Sequence, residues 1–166
     1  MTGTAWVFGD DINTDVMVSG LYMKSPMDEM ARHCLETVDP DFAKGVASGD
    51  VLVGGENLGI GSSREQAVEV LRYLGIRVLV AKSFAGIFFR NALNFGVMAV
   101  TCAEAGKIQA GDRIEVDTAK GQIINHTRNE TYACDTLPES LLAMVQDGGL
   151  VAHLEKKRAQ SPEQGA

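Results

Sequence analysis

Residues 51–66 read Val-Leu-Val-Gly-Gly-Glu-Asn-Leu-Gly-Ile-Gly-Ser-Ser-Arg-Glu-Gln, and this stretch decides the fold. The apolar run at its start predicts a buried strand, and the four glycines that follow predict a loop. The apolar periodicity after residue 66 predicts a helix that ends at Gly75. Glycine lets backbone N–H groups approach a ligand, and the N-terminus of a helix favours negative charge. The stretch is therefore a candidate anion-binding site.

Two serines and an arginine stand where this loop enters the helix. Ser62 with Glu65, and Ser63 with Gln66, each match the S-x-x-E/Q capping box, so one interpretation is that the serines only cap the helix. A single cap needs one serine, however, and Arg64 in the first turn opposes the helix dipole. The other interpretation is that these side chains bind a carboxylate or a phosphate. The residues alone leave both interpretations open.

The glycine loop does not match the common nucleotide or hydrolase motifs. Arg64 stands where G-x-G-x-x-G needs its third glycine, and no Gly-Lys-Ser/Thr follows. Glu65 stands where the G-x-S-x-G elbow of serine hydrolases needs its second glycine. These mismatches weaken both nucleotide binding and serine hydrolysis as functions.

The segments after the glycine loop predict a βαβ unit. Residues 77–81 are apolar and β-branched, residues 84–94 predict a second helix, and residues 97–101 predict another strand. Strand, helix and strand within about 30 residues predict a parallel pair with a right-handed crossover. We therefore expect a parallel core.

The two ends of the chain predict further β-structure. Residues 5–8 predict a first strand, residues 112–117 and 122–126 predict a β-hairpin, and residues 131–134 predict one more strand. The fold class is therefore α/β, with a parallel βαβ core and a mostly antiparallel β layer from the C-terminal third. We expect a single domain over residues 1–155 and a polar, flexible tail over residues 156–166.

Composition excludes several classes of protein. The chain has 166 residues, 45% of them hydrophobic and 22% charged, as is typical of one globular domain. A net charge of −7 argues against nucleic acid as a partner. No apolar run approaches the roughly 20 residues of a membrane span, and no signal-peptide pattern is present. With three widely spaced cysteines, a cytoplasmic protein with reduced thiols is expected.

Residues that could bind a metal are scattered along the chain. The histidines and cysteines lack metal-site spacing, so no metal ligand is expected among them. Cys34 lies on the apolar stripe of a helix that begins at Pro26 and is expected in the core, whereas His33 lies off the stripe and is expected in solvent. Residues 10–15 carry three carboxylates; turn formation, a contribution to a substrate site and a metal loop all remain open, the metal loop being the weakest.

Residues 55–65 closely resemble the G-x-N-x-G-x-G-S-S-R-E signature of the aconitase superfamily swivelling domain. Residues 11–15 resemble that family's D-x-[ND]-T-D loop, and residues 82–88 resemble its K-S-F-A-x-I-F element. The resemblance covers about residues 4–155. It implies a swivelling β/β/α three-layer domain and, from the length of the chain, the small subunit of a two-subunit dehydratase.

The family resemblance also implies roles for individual residues. Ser62 corresponds to the base that removes a proton α to a carboxylate, and Ser63 and Arg64 correspond to groups that bind substrate carboxylate. Asn57 of the same motif is expected to bind substrate. Lys24 lies where the family recognises the variable end of its substrate, and it either contacts a distal carboxylate or is solvated. A [4Fe–4S] cluster is expected on a separate large subunit and not on this chain.

The reaction implied by the resemblance is the dehydration and rehydration of a 2-hydroxy di- or tricarboxylate. The leading expectation is 3-isopropylmalate dehydratase, a step of leucine biosynthesis, with homoaconitase and 2,3-dimethylmalate dehydratase as alternatives. A hypothesis from another class is a non-catalytic module that binds small carboxylates. An enzyme subunit requires a large partner subunit, whereas such a module does not.

Overall fold

The computed structural model describes residues 1–62 and 64–161. In this part of the chain seven strands form one sheet: β1 Thr2–Val7, β2 Val51–Val53, β3 Val78–Ala81, β4 Met98–Thr101, β5 Arg113–Asp117, β6 Gln122–Asn125 and β7 Glu130–Ala133. The helices are α1 Thr14–Met17, α2 Met27–Arg32, α3 Phe42–Gly45, α4 Glu65–Tyr73, α5 Gly86–Asn94, α6 Glu139–Gln146 and α7 Leu150–Gln160. Short 3-10 turns occur at Gly20–Tyr22 and Ala105–Lys107. None of the described helices has the length and hydropathy needed to span a membrane.

The sheet has a parallel half and an antiparallel half that share β1. Its strand order is β4-β3-β2-β1-β5-β6-β7. Strands β1 to β4 run parallel to one another, whereas β5 pairs antiparallel with β1, and β6 and β7 continue antiparallel. The predicted α/β fold, with a parallel core and an antiparallel C-terminal layer, is confirmed.

The two halves differ in burial as their sequences predict. Every residue of β2 and β3 is buried, because helices cover both faces of a parallel sheet. Strand β5 instead alternates between buried and more exposed positions, so one face packs on the core and the other is near solvent. Phe42 is fully buried, and its ring centroid lies 5.5 Å from that of Phe8 and 5.3 Å from that of Trp6.

The loops that follow β1, β2 and β3 meet at the carboxyl edge of the parallel strands, where ligands bind in open α/β sheets. Backbone hydrogen bonds join the three loops, with the glycine loop in the middle: Gly59 N–H to Ile12 O at 2.8 Å, Thr14 N–H to Ile60 O at 2.9 Å, and Leu58 N–H to Ser83 O at 3.0 Å. Residues that are far apart in sequence are thereby brought to one edge.

The C-terminal residues differ from the prediction. Helix α7 includes residues 156–160, so the first part of the expected flexible tail is helical, while residues 162–166 lie outside the described residues. His153 Nδ1 lies 2.6 Å from Asp147 Oδ2 and connects α7 to the end of α6. No residue of α7 is buried, which explains why apolar periodicity did not predict it. The boundary of a single domain at residues 1–155 stays a prediction.

Candidate active site

Ser62 and Asp15 are joined by a hydrogen bond at the carboxyl edge of the parallel strands. Ser62 Oγ donates to Asp15 Oδ1 at 2.8 Å, although the two residues are 47 positions apart. Thr14 Oγ1 lies 3.5 Å from the same hydroxyl oxygen. Because Ser62 is exposed, a ligand can approach its hydroxyl group from outside the chain.

Arg64 contacts the same carboxylate oxygen. Its Nη1 lies 3.2 Å from Asp15 Oδ1 and donates a 2.9 Å hydrogen bond to Val18 O. The arginine side chain is 24% exposed and that of Asp15 is 52% exposed, so solvent screens the ion pair. Such a pair contributes little to folding stability, and its main consequence is to fix the two groups relative to each other.

Helix α1 places Asp15 in this position. Asn13 Oδ1 accepts hydrogen bonds from the backbone N–H of Asp15 at 2.8 Å and of Val16 at 3.1 Å, so Asn13 caps the helix. Thr14 is fully buried, which holds the first turn against the core. The loop at residues 10–15 therefore forms a turn and also supplies a carboxylate to the candidate site.

The capping interpretation is wrong for Ser62. Arg64 is the N-cap residue of α4, and its side chain makes no capping hydrogen bond. The Ser62 hydroxyl is bonded to Asp15 instead. The second capping box depends on Ser63, which lies outside the described residues. Its predicted role in substrate binding stays a prediction.

Two glycines allow the loop to carry Ser62 to α1. Gly59 and Gly61 have φ angles of +85° and +104°, which residues with a Cβ rarely adopt. A Cβ at Gly59 would also lie 2.0 Å from Phe88 Cγ, so the loop packs directly on α5. Any side chain at position 59 would push the loop, and Ser62 with it, away from its position.

Asn57 supports the loop in this structure. Its Nδ2 donates to Asp11 Oδ1 at 2.9 Å, and its backbone N–H donates to Ser83 Oγ at 2.8 Å. Lys24 is exposed and forms no ion pair within the described residues. Neither residue is hydrogen-bonded to Ser62 or Arg64 in the part of the chain that the structure describes. Their roles in substrate binding stay predictions.

The segment after Val18 borders the Arg64 guanidinium group, a contact that the sequence did not predict, although the family resemblance placed Lys24 of this segment at the variable end of the substrate. A Cβ built on Gly20 would lie 4.0 Å from Arg64 Nη2, and the next residue, Leu21, is 85% exposed. The segment therefore borders the guanidinium group at Gly20 and exposes an apolar side chain at the next position.

The cysteines are not arranged as the ligand set of an iron–sulfur cluster, which is held by several thiolates around one site. Burial raises the pKa of the Cys34 and Cys102 thiols, and chiefly burial raises that of Cys134 to about 11. Cys34 is fully buried, as predicted. Within residues 1–62 and 64–161, no three His, Cys, Asp or Glu side chains are grouped so that they could hold a metal ion.

Comparison with known proteins adds evidence that is independent of this geometry. The family model for the aconitase C-terminal domain matches residues 17–105. A solved structure of 3-isopropylmalate dehydratase from Methanocaldococcus jannaschii superposes on this chain with a TM-score of 0.92 at 41% sequence identity. The superposition covers 99% of this chain and 98% of the solved one.

Curated relatives match over nearly their whole length. A 3-isopropylmalate dehydratase small subunit of Archaeoglobus fulgidus is 47% identical, covering 94% of this chain and 98% of its own. The corresponding subunit of Methanosarcina mazei is 45% identical, covering 94% and 97%. The methanogen homoaconitase small subunit of Methanocaldococcus jannaschii is 42% identical, covering 98% and 96%.

Proposed function

The chain belongs to the aconitase C-terminal domain family, and from this membership we propose that it is the small subunit of a two-subunit dehydratase. Its reaction is the removal and re-addition of water on a 2-hydroxy dicarboxylate, which moves the hydroxyl group between neighbouring carbons. The observation that carries the proposal is the arrangement of Ser62, Asp15 and Arg64, in which a hydroxyl, a carboxylate and a guanidinium group meet on an exposed edge.

The proposed substrate is 3-isopropylmalate. Relatives of that name match almost the whole chain. The exposed Leu21 directly follows Gly20, which borders the Arg64 guanidinium group, and so it suits an isopropyl branch next to a carboxylate. Homoaconitase is the second candidate, supported by the relative of that name and by the exposed Lys24, which is suited to a distal carboxylate.

Arg64 is proposed to bind a substrate carboxylate. Nη1 contacts the chain itself, because it donates to Val18 O and lies 3.2 Å from Asp15 Oδ1. A guanidinium group has five N–H donors, so Nη2 and Nε present a planar pair that matches a carboxylate. The contact with Val18 holds this pair in a fixed orientation before substrate arrives.

Ser62 is proposed to be the base. A serine hydroxyl is as weak an acid as water, whose pKa is about 15.7, so ionising it near neutral pH costs about 12 kcal/mol. The hydrogen bond to Asp15 favours the protonated form further, because a carboxylate accepts from a hydroxyl and repels an alkoxide. Asp15 therefore orients the hydroxyl, and the charge that stabilises the base must come from elsewhere.

That charge is proposed to come from a partner subunit. A [4Fe–4S] cluster held by the large subunit, when bound, supplies a Lewis acid for the substrate's hydroxyl and carboxylate groups. The thiols of this chain do not fit such a cluster, so the chain contributes Ser62 and Arg64 to a site that closes at the interface. Closure also excludes water, which strengthens each electrostatic contact in the site.

The test is reconstitution with a large subunit under anaerobic conditions, followed by assays with 3-isopropylmalate, homocitrate and 2,3-dimethylmalate. We expect turnover that is fastest with 3-isopropylmalate and at least about 100-fold slower in the Ser62→Ala complex. Fastest turnover with homocitrate would instead support the homoaconitase assignment. A chain that binds these acids without a large subunit, and forms no complex with one, would support the non-catalytic carboxylate-binding module and overturn the proposal.

A further inference from the structure

The segment at residues 19–25 forms one border of the candidate site. At its start, Val18 O accepts the hydrogen bond from Arg64 Nη1, and a Cβ on Gly20 would lie 4.0 Å from Arg64 Nη2. Leu21 follows with 85% of its surface exposed. The position of this segment therefore determines what surrounds a group bound to the guanidinium.

The middle of the segment is held by a pair of stacked rings. The Tyr22 and His33 ring centroids lie 3.9 Å apart with an angle of 2° between the planes, and His33 Nδ1 lies 2.8 Å from Glu36 Oε2. The expectation that His33 is simply solvated is wrong, since its side chain is only 30% exposed. It connects the segment to the end of α2.

We propose that His33 is a positioning residue for substrate recognition. Its ring holds Tyr22, and through Tyr22 it holds the backbone at Gly20 next to the Arg64 guanidinium group, with the exposed Leu21 directly after it. This role rests on the proposed function, since it concerns how the substrate's apolar branch is recognised. His33 itself does not contact the Ser62–Asp15–Arg64 arrangement by any hydrogen bond among the described residues.

The contacts around His33 show that its role in holding Tyr22 is distinct from any contribution to the stability of the fold. Cys34 and Leu35, the next two residues, are fully buried, and Leu35 N–H donates to Val16 O at 3.0 Å. The end of α2 is therefore anchored in the core whether or not position 33 carries a ring. By contrast, apart from the ring stack, the segment at 19–25 is held only by the partial packing of Tyr22 and Met23 against the core and by its own turns, among the described residues.

Three variants of the reconstituted enzyme test the proposal. His33→Ala removes the ring, His33→Phe keeps a ring for Tyr22, and Glu36→Gln weakens only the contact with His33. We expect His33→Ala to raise KM for 3-isopropylmalate about ten-fold with kcat within about two-fold, because the lost contact concerns binding of the branch. His33→Phe should restore KM to within about three-fold of the parent, and Glu36→Gln should have an intermediate effect.

The matched control is His126→Ala, which removes another histidine paired with a glutamate, at 2.8 Å from Glu115 on the antiparallel half of the sheet. It should leave KM unchanged. An unchanged KM in His33→Ala, or a His33→Phe variant as impaired as His33→Ala, would overturn the proposal.

Amide hydrogen exchange of the full chain gives a second readout that needs no activity. His33→Ala should speed exchange at residues 19–25 about ten-fold without changing exchange in α4, whereas His33→Phe should not. If the parent complex has no activity, the proposed function fails, yet this exchange experiment still decides whether His33 holds the segment. Equal exchange in His33→Ala and the parent chain would refute the anchoring.

Discussion

Ser62 Oγ donates a 2.8 Å hydrogen bond to Asp15 Oδ1, so the candidate base and its acceptor come from two different loops. Ser62 follows β2 and Asp15 follows β1, and the parallel pairing of those strands brings both loops to one edge. The site is therefore a product of the fold's topology, and neither loop could form it alone.

Replacing Ser62 by Ala should abolish most turnover without affecting the fold. Loss of a general base typically lowers kcat by about 10²–10⁴-fold, and KM should stay within about two-fold because Arg64 still binds the carboxylate. Steady-state kinetics of the reconstituted enzyme measures both values. Ser48→Ala, another exposed serine at the opposite edge of the sheet, is the control and should behave like the parent. A Ser62→Ala enzyme with more than about a tenth of parental kcat would assign the base elsewhere.

Substitutions at Asp15 separate its role as hydrogen-bond acceptor from its charge. Asn retains an oxygen that accepts from Ser62, whereas Ala removes the acceptor. We expect kcat to stay within about three-fold of the parent in Asp15→Asn, which still orients the hydroxyl, and to fall about 100-fold in Asp15→Ala, because an unoriented hydroxyl is a poorer base. Equal losses in the two variants would show that the carboxylate acts by its charge and not by orienting Ser62.

Arg64→Lys should weaken substrate binding even though the charge is kept. A lysine ammonium group cannot make the planar, bidentate contact with a carboxylate, so KM should rise about 10- to 100-fold, the equivalent of about 1.5–3 kcal/mol. Arg77→Lys is the matched control, because Arg77 is an exposed arginine that donates to the backbone at the amino edge of β3. If Arg64→Lys had the KM of the parent enzyme, bidentate binding would be wrong.

Sequence patterns predicted the fold well because its core strands and helices are strongly apolar and are joined by short loops. β2, whose residues are all apolar and buried, lies at residues 51–53 as predicted. The start of α4 was predicted too early, since the capping pattern at Ser62 is satisfied by a distant carboxylate instead of the helix N–H groups. Sequence rules predict that a serine hydroxyl bonds to backbone N–H groups close to it in the chain. The bond to Asp15 becomes apparent only once the parallel pairing of β1 and β2 is known.

The residues of the site differ in how far sequence could locate them. The glycine loop identified Ser62 and Arg64, because its composition is unusual within a short window. Leu21 and His33 were missed because exposure and ring stacking depend on tertiary placement: a leucine is most often buried, and a histidine off an apolar stripe is most often solvated. Neither residue has a sequence pattern around it that would have predicted its role.

Acid should destabilise the antiparallel half through Asp112, which is only 3% exposed. Burial raises the pKa of its carboxyl group, but hydrogen bonds from Asn125 Nδ2, Gln109 N–H and Arg128 Nε outweigh burial and leave the pKa below its usual value. A carboxylate with a lowered pKa stabilises the fold above the unfolded-state pKa, and this stability is lost as the pH falls through the lowered folded-state value.

Asp112→Ala should therefore lower the free energy of unfolding near pH 7 by about 1–3 kcal/mol, because Asn125 and Arg128 lose a buried partner. The loss should shrink when urea unfolding is repeated near pH 3. Asp41→Ala, at an exposed position, should change stability at neither pH. A loss of the same size at both values of pH would show that the ionised carboxylate is not what holds this part of the sheet.

The chain without its partner should have no dehydratase activity. Ionising Ser62 near neutral pH costs about 12 kcal/mol, and the N-terminus of α4 can supply at most about 2 kcal/mol of this. Arg64 is already paired with Asp15, so its positive charge is partly neutralised before a substrate binds. Purified chain, incubated with 3-isopropylmalate and followed by the ultraviolet absorbance of the unsaturated product, should show no turnover, and addition of the iron-loaded large subunit should restore it. Turnover by the chain alone, free of iron, would mean that Ser62, Asp15 and Arg64 form a complete site and that no partner is needed.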